Sequence, residues 1–329
     1  MSSAMIKGKE ITAPVEDELR VLEGELAEIF SGKFALVSAI GEHLVSMKGK
    51  RVRPILVFLS ARLGKPDIDK AIKVAAAIEI IHTATLLHDD SIDRSLLRRG
   101  LPTVNRLWND QVSVIMGDHL FCTAFRLLHE TGDFKIATVL SEGSDSMTYG
   151  EMFQMDLRGK YDISEETYLD MIGHKTAALF SSACEAGALI GGLDDSATAR
   201  LKAYGETIGI AFQIVDDILD FVGDVDVTGK PIGNDVRDGR VTLPLLVALR
   251  NAGSEEAARL RRLIDTSSLG KTEWKQVVDF IEKHRGIVYS HQAAQRLAQQ
   301  AKSHIADLKA CPARNSLMLL ADRVVSRQK

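Results

Sequence analysis

Two groups of aspartates in this 329-residue chain could do chemistry together: Asp89, Asp90 and Asp93, and then Asp216, Asp217 and Asp220, each group following an apolar run. If these stretches are helical, the first and last carboxylates of a group lie one turn apart on one face, with the middle one beside them. Carboxylates crowded in this way repel one another, so something positive belongs among them. Triads of hard oxygen donors suit Mg2+ ions and, through those ions, a diphosphate.

Basic side chains accompany the acidic ones. Arg98 and Arg99 follow the first group directly, and guanidinium forks suit phosphate oxygens. The segment Gly49-Lys50-Arg51-Val52-Arg53-Pro54 is a compact basic entry to a helix, where Lys50 and Arg53 read equally well as a surface turn. Lys175 and Thr176 sit within a helical pattern between Ile172 and Leu179. Burying them costs desolvation unless a ligand or carboxylate meets them. Glu151 and Gln154 read as a solvated face. A histidine deep in an apolar pattern is ordinarily a core residue, but His82 precedes Asp89 by about two helical turns. Residues 223–240 are dense in glycine and in both signs of charge, and read as a lid able to bring Lys230 and Arg240 over a diphosphate. The spacing is not that of a P-loop.

Helices must position these groups. The apolar share is 45%, aromatics are 5% and there are 7 prolines, a composition for packed helices. Residues 1–14 read as a loose leader ending at Pro14. Helical periods then run over about 15–30, 34–47, 53–63, 68–93, 110–129, 134–157, 164–190 and 196–221, with further helices from 242 to 325 that complete the core. No repeat, linker or composition shift divides 15–329, so a single all-helical domain is expected.

With 41 Lys+Arg against 45 Asp+Glu the net charge is -4, poor material for a nucleic-acid binder. Cys122, Cys184 and Cys311 lack any paired spacing and read as reduced thiols of a cytoplasmic protein. No secretory signal is visible, and charged or polar residues interrupt each apolar run before it reaches membrane-spanning length.

Taken together, the two aspartate motifs, the arginine pair and the Gly-Lys loop resemble the trans-prenyl diphosphate synthases, over most of the chain from Gly49 to about Leu246. The resemblance implies the isoprenoid synthase fold, a bundle of long helices around a central cavity. It implies that both motifs hold Mg2+, about three ions per site, bridged to an allylic diphosphate. Arg98, Lys175, Lys230 and Arg240 would then meet that diphosphate, with Arg240 standing where the family usually has Lys. Lys50, Arg53, His82 and Arg99 would form the isopentenyl diphosphate pocket. Thr176 and Gln213 would line the reacting region and steady an allylic cation. A homodimer is the family's usual assembly.

In relatives that make short products, aromatics stand four or five residues before the first motif. Here those places hold Ala84 and Thr85, which leaves a growing chain room to pass, with Phe121 and Phe125 as candidates for a deeper floor. A long-chain product is expected, octaprenyl at the centre of a hexaprenyl-to-decaprenyl range, with transient membrane contact for release. The alternatives are a farnesyl or geranylgeranyl diphosphate synthase and a non-catalytic subunit of a heteromeric synthase. A terpene cyclase is disfavoured by the intact second motif. A metal phosphohydrolase built around His88-Asp89 explains neither that motif nor Arg98-Arg99.

Overall fold

A computed structural model describes residues 3–32, 34–47, 49–222, 233–265 and 269–327. Its secondary structure is helical apart from one hairpin of two-residue strands, so the fold class is all-α. The chain divides into two compact units, each gathered from three segments. One comprises residues 1–144, 179–205 and 302–320, the other residues 145–178, 206–301 and 321–329. No linker in the sequence marks these units, because each is stitched from separated segments.

In the first unit α1 (Ser3–Thr12) is helical where the sequence suggests a loose leader. Burial of Ile11 and Val15 anchors this end. Next come α2 (Glu16–Phe30), α3 (Ala35–Ser46), α4 (Val52–Ala61) and α5 (Ile68–Ile92). The core lies along α4 and α5, with Leu56, Val57, Phe58, Ile78, Ile80 and Ile81 almost wholly buried. By length and composition α5 could cross a membrane, contrary to the expectation that no run would suffice. Its most apolar window is 61% buried, as befits a core helix.

Helix α5 begins at Asp67, whose carboxylate caps the Lys70 N–H at 3.1 Å. It ends in a Schellman motif: Ser95 N–H reaches Asp90 O at 2.8 Å and Arg94 N–H reaches Ser91 O at 3.3 Å. The left-handed residue of that motif is Arg94, at φ 50°, where glycine is usual. The hairpin follows, β1 (Leu97–Arg98) against β2 (Leu101–Pro102), antiparallel with Leu97 opposite Pro102. Its turn residues Arg99 and Gly100 have φ of 53° and 78°, the pattern of a type I′ turn. Then α6 (Val104–Leu107), α7 (Asp110–Glu130) and the first half of α8 (Phe134–Asp156) follow. Packing of α5 is chiefly against α7.

In the second unit α9 (Glu165–Ile172) passes into a π-helical turn, Gly173–Ala177, before α10 (Ala178–Ile190) begins. The sequence reads this stretch as one unbroken helix. Helix α11 (Asp195–Val222) carries the second aspartate motif at its C-terminal end. Around it lies a core of Tyr168, Met171, Ile214, Val215, Ile218 and Leu243. A second core cluster joins Phe221 to the helices Leu243–Asn251, Ser254–Asp265 and Lys271–Lys283.

Candidate active site

The first aspartate motif occupies the last turn of α5. Asp89 and Asp93 are half-buried, whereas Asp90 is only 3% exposed. Its carboxylate takes a two-pronged hydrogen bond from Arg98, Nε to Oδ2 at 2.8 Å and Nη2 to Oδ1 at 2.7 Å. Asn105 braces the same turn, donating to the carbonyls of Asp90 and Ser95 at 3.2 Å. Arg99 points the other way and donates to Met47 O at 2.6 Å. Adjacent arginines in a tight hairpin thus serve different partners.

Beside this motif lies a cavity whose polar lining is Arg51, Glu79, His82, Thr83, Asp90, Arg98 and Arg99. Burial, followed by the positive fields of Arg53, Arg99, Arg98 and Arg51, pushes the His82 pKa well below its ordinary value. The imidazole is therefore neutral at pH 7 and carries one N–H donor. Arg53 stands 4.8 Å over the Phe180 ring. Of the basic segment, Arg51 lines the cavity, Arg53 packs on an aromatic ring and Lys50 is exposed. By contrast, His88 is committed to scaffold: Nε2 lies 3.1 Å from Val114 O and 3.3 Å from Asp118, and its ring stacks on Phe121. That leaves the phosphohydrolase reading without its histidine.

In the second unit a chain of hydrogen bonds ties the π-helical turn to the second motif. Thr176 donates to Gln213 Oε1 at 2.7 Å, Gln213 Nε2 donates to Asp217 Oδ1 at 2.8 Å, and Tyr168 OH donates to Asp217 Oδ2 at 2.6 Å. The amide oxygen of Gln213, expected to face the reacting carbons, is occupied by Thr176. Lys175 is met by a carboxylate, as its position demands: it pairs with Glu151 and donates to Gln154 Oε1 at 2.7 Å. Glu151 and Gln154 are therefore partners of the lysine and not a solvated face. Arg240 is held by Asp235 at 3.2 Å and Asp238 at 3.7 Å, so its charge is already engaged on its own loop. Lys230 and positions 223–232 of the expected lid lie outside the described residues.

Asp216 faces Arg327 at 3.0 Å, and that guanidinium lies 4.4 Å over the Phe212 ring. Asp220 accepts the backbone N–H groups of Asn234 and Asp235 at 3.3 and 3.1 Å. Burial first, and the neighbouring Asp235 second, push Asp220 up to about 7 and Asp217 well above the ordinary carboxylate range. Burial likewise raises the Tyr168 phenol, which stays protonated and donates.

The donor chemistry fits a divalent cation. Both motifs end helices, where the macrodipole is negative and carboxylates are disfavoured, and the second is partly buried. Among the described residues no three such side chains are yet gathered at one point. Arg98 and Arg327 hold Asp90 and Asp216 instead.

Of the chain-length positions, Ala84 is wholly buried and Thr85 half-buried. Of the two, only Thr85 presents surface in this packing. Phe121 stacks on both His88 and Phe125, and Phe125 is 41% exposed.

Tyr168, Arg327, Asp235, Arg51 and Glu79 join these clusters without having been singled out from sequence. Asp235 and Arg51 stand next to recognised motifs, a usable signal. Arg327 comes from a region expected only to complete the core.

Comparison with known proteins agrees with this geometry. Residues 34–281 match the family model Polyprenyl synthetase. The chain is 36% identical over 320 residues to the all-trans-nonaprenyl-diphosphate synthase (geranyl-diphosphate specific) of Rhodobacter capsulatus, covering 97% of this chain and 98% of that protein. It is 37% identical over 294 residues to a short chain isoprenyl diphosphate synthase of Methanothermobacter thermautotrophicus, covering 87% and 89%. Among solved structures, a polyprenyl synthase from Caulobacter crescentus CB15, complexed with calcium and isoprenyl diphosphate, superposes with a TM-score of 0.94 at 36% identity, covering 98% of each chain. Sequence motifs, helical architecture and relatives agree: the chain belongs to the polyprenyl synthetase family of prenyltransferases.

Proposed function

We infer that this protein is a long-chain prenyl diphosphate synthase, joining isopentenyl diphosphate head to tail onto an allylic diphosphate. The observation that carries the reading is the pair of aspartate triads at the ends of α5 and α11, each with basic side chains already in contact. Mg2+ is the cation assigned, held by Asp89, Asp90 and Asp93 and by Asp216, Asp217 and Asp220. When bound it supplies the positive charge that lets the allylic carbon–oxygen bond ionise. Arg98 and Lys175 add charge at the leaving diphosphate on exchanging Asp90 and Glu151 for phosphate oxygens. Lys50, Arg53, His82 and Arg99 hold the diphosphate of isopentenyl diphosphate, whose double bond forms the new carbon–carbon bond. The proton lost from the adjacent carbon passes to the released diphosphate, and the product is again allylic. No protein nucleophile is needed.

Long-chain specificity is supported by the small, half-buried residue at 85 and by the nonaprenyl relative, which the chain matches over nearly its whole length. A shorter product is the second reading, favoured by the short-chain relative. Exposed Val114, Ile115 and Phe125 along α7 support a homodimer, and three free cysteines support a cytoplasmic location. The test is a product assay with Mg2+, farnesyl diphosphate and excess isopentenyl diphosphate, read by mass after dephosphorylation. A ladder ending at one long product is expected. A product stopping at farnesyl or geranylgeranyl from a geranyl starter would give the second reading, and no elongation from any starter would sink both.

A further inference from the structure

Arg51 is the residue at this site whose geometry most needs an explanation. It begins α4 in the left-handed region, at φ 50° and ψ 35°, a conformation that costs a non-glycine residue about 1–2 kcal/mol and must be held by its surroundings. Its guanidinium is held between two acids. Nε and Nη2 reach the two oxygens of Glu23 at 2.7 and 3.2 Å, and Nη1 reaches Glu79 Oε1 at 2.7 Å. Three of the five N–H donors of Arg51 are thereby spent on carboxylates. What it fixes is the backbone between Lys50 and Arg53.

Glu79 is the buried end of this clamp. Its side chain is 6% exposed on the core helix α5, one turn before His82, and it lines the same cavity as Arg98 and Arg99. The other carboxylate in that cavity, Asp90, is already taken by Arg98. Glu79 therefore balances a cluster of cations that would otherwise repel one another around His82.

We propose that Glu79 is a positioning residue for isopentenyl diphosphate: with Glu23 it clamps Arg51 in its left-handed conformation, and so sets Lys50 and Arg53 to meet the diphosphate. The inference rests on the assignment of Lys50, Arg53, His82 and Arg99 to that substrate. Simple charge counting makes the opposite prediction. Removing an anion from a phosphate pocket should tighten binding of a dianion, whereas loss of a positioning clamp should weaken it.

The experiment is calorimetric binding of isopentenyl diphosphate alone to the full-length protein, alongside the steady-state KM for farnesyl diphosphate. For Glu79→Gln we expect isopentenyl diphosphate affinity to fall about tenfold or more, the usual scale for breaking a buried charge pair, with farnesyl KM changed less than about twofold. Glu23→Gln, whose side chain is half exposed and whose loss spares the fold, should shift the same affinity in the same direction by less. Glu79→Asp should recover part of the loss. Tighter or unchanged isopentenyl diphosphate binding in both Gln variants overturns the proposal, as does a parallel loss for both substrates. If Glu79→Gln does not fold, Glu23→Gln decides alone. Absence of binding to the unaltered protein overturns the substrate assignment itself, and the inference with it.

Discussion

Asp220 carries a proton that an exposed aspartate would have lost well below neutral pH. Its pKa is raised by burial and by Asp235 from 3.8 to about 7. Because the folded value is the higher one, the stability it contributes is full below pH 3.8 and is lost as pH rises towards about 7. Without divalent cation, the stability difference between the native protein and Asp220→Asn should therefore shrink across that window by roughly 4 kcal/mol, read from denaturant titrations. A pH-independent difference would show that the carboxyl is already ionised. Two neighbouring residues should part company in the same way. Ala84→Phe forces a large ring into a closed site and should cost about 1–3 kcal/mol of stability, whereas Thr85→Phe should shorten the prenyl product, measured by mass. Unchanged product length in Thr85→Phe would remove position 85 from the path of the chain. The aspartates themselves were legible because their chemistry is written in local spacing. Their partners Tyr168 and Arg327 were not, since each arrives from a distant segment and a hydrogen bond leaves no periodic signature.

Helix boundaries followed from capping and breaker residues to within a residue or two in most elements. The π-helical turn at Gly173–Ala177 did not, because a widened turn is held by tertiary partners: Glu151 and Gln154 on one side through Lys175, Gln213 on the other through Thr176. Such turns are uncommon in helices and gather at functional sites. Gly150 makes this one possible, since a Cβ there would collide with the backbone nitrogen of Lys175. Gly150→Ala should cost about 1–3 kcal/mol of stability and lower turnover, as the backbone of the turn is pushed from α8. Wild-type stability and turnover together would mean that α8 yields freely at this point. The leader helix escaped sequence reading for a different reason. A few scattered apolar residues before Pro14 give no clear period, and burial of Ile11 becomes apparent only when the core is assembled.

At the scale of the molecule, the exposed apolar residues of α7 predict association. Val114, Ile115 and Phe125 are 40%, 58% and 41% exposed, a cost in water that a second copy would remove. Replacing Ile115 and Phe125 together with Glu should halve the mass measured by light scattering at micromolar protein. An unchanged mass would place the interface elsewhere. The all-helical class and the two motifs could be read from composition and spacing, but the division into two units could not, because both are stitched from separated segments. That stitching bears on how the chain is made. On a ribosome, the first unit waits for residues 302–320 and the second for residues 321–329, so neither can close until the final helix Pro312–Val325 has emerged.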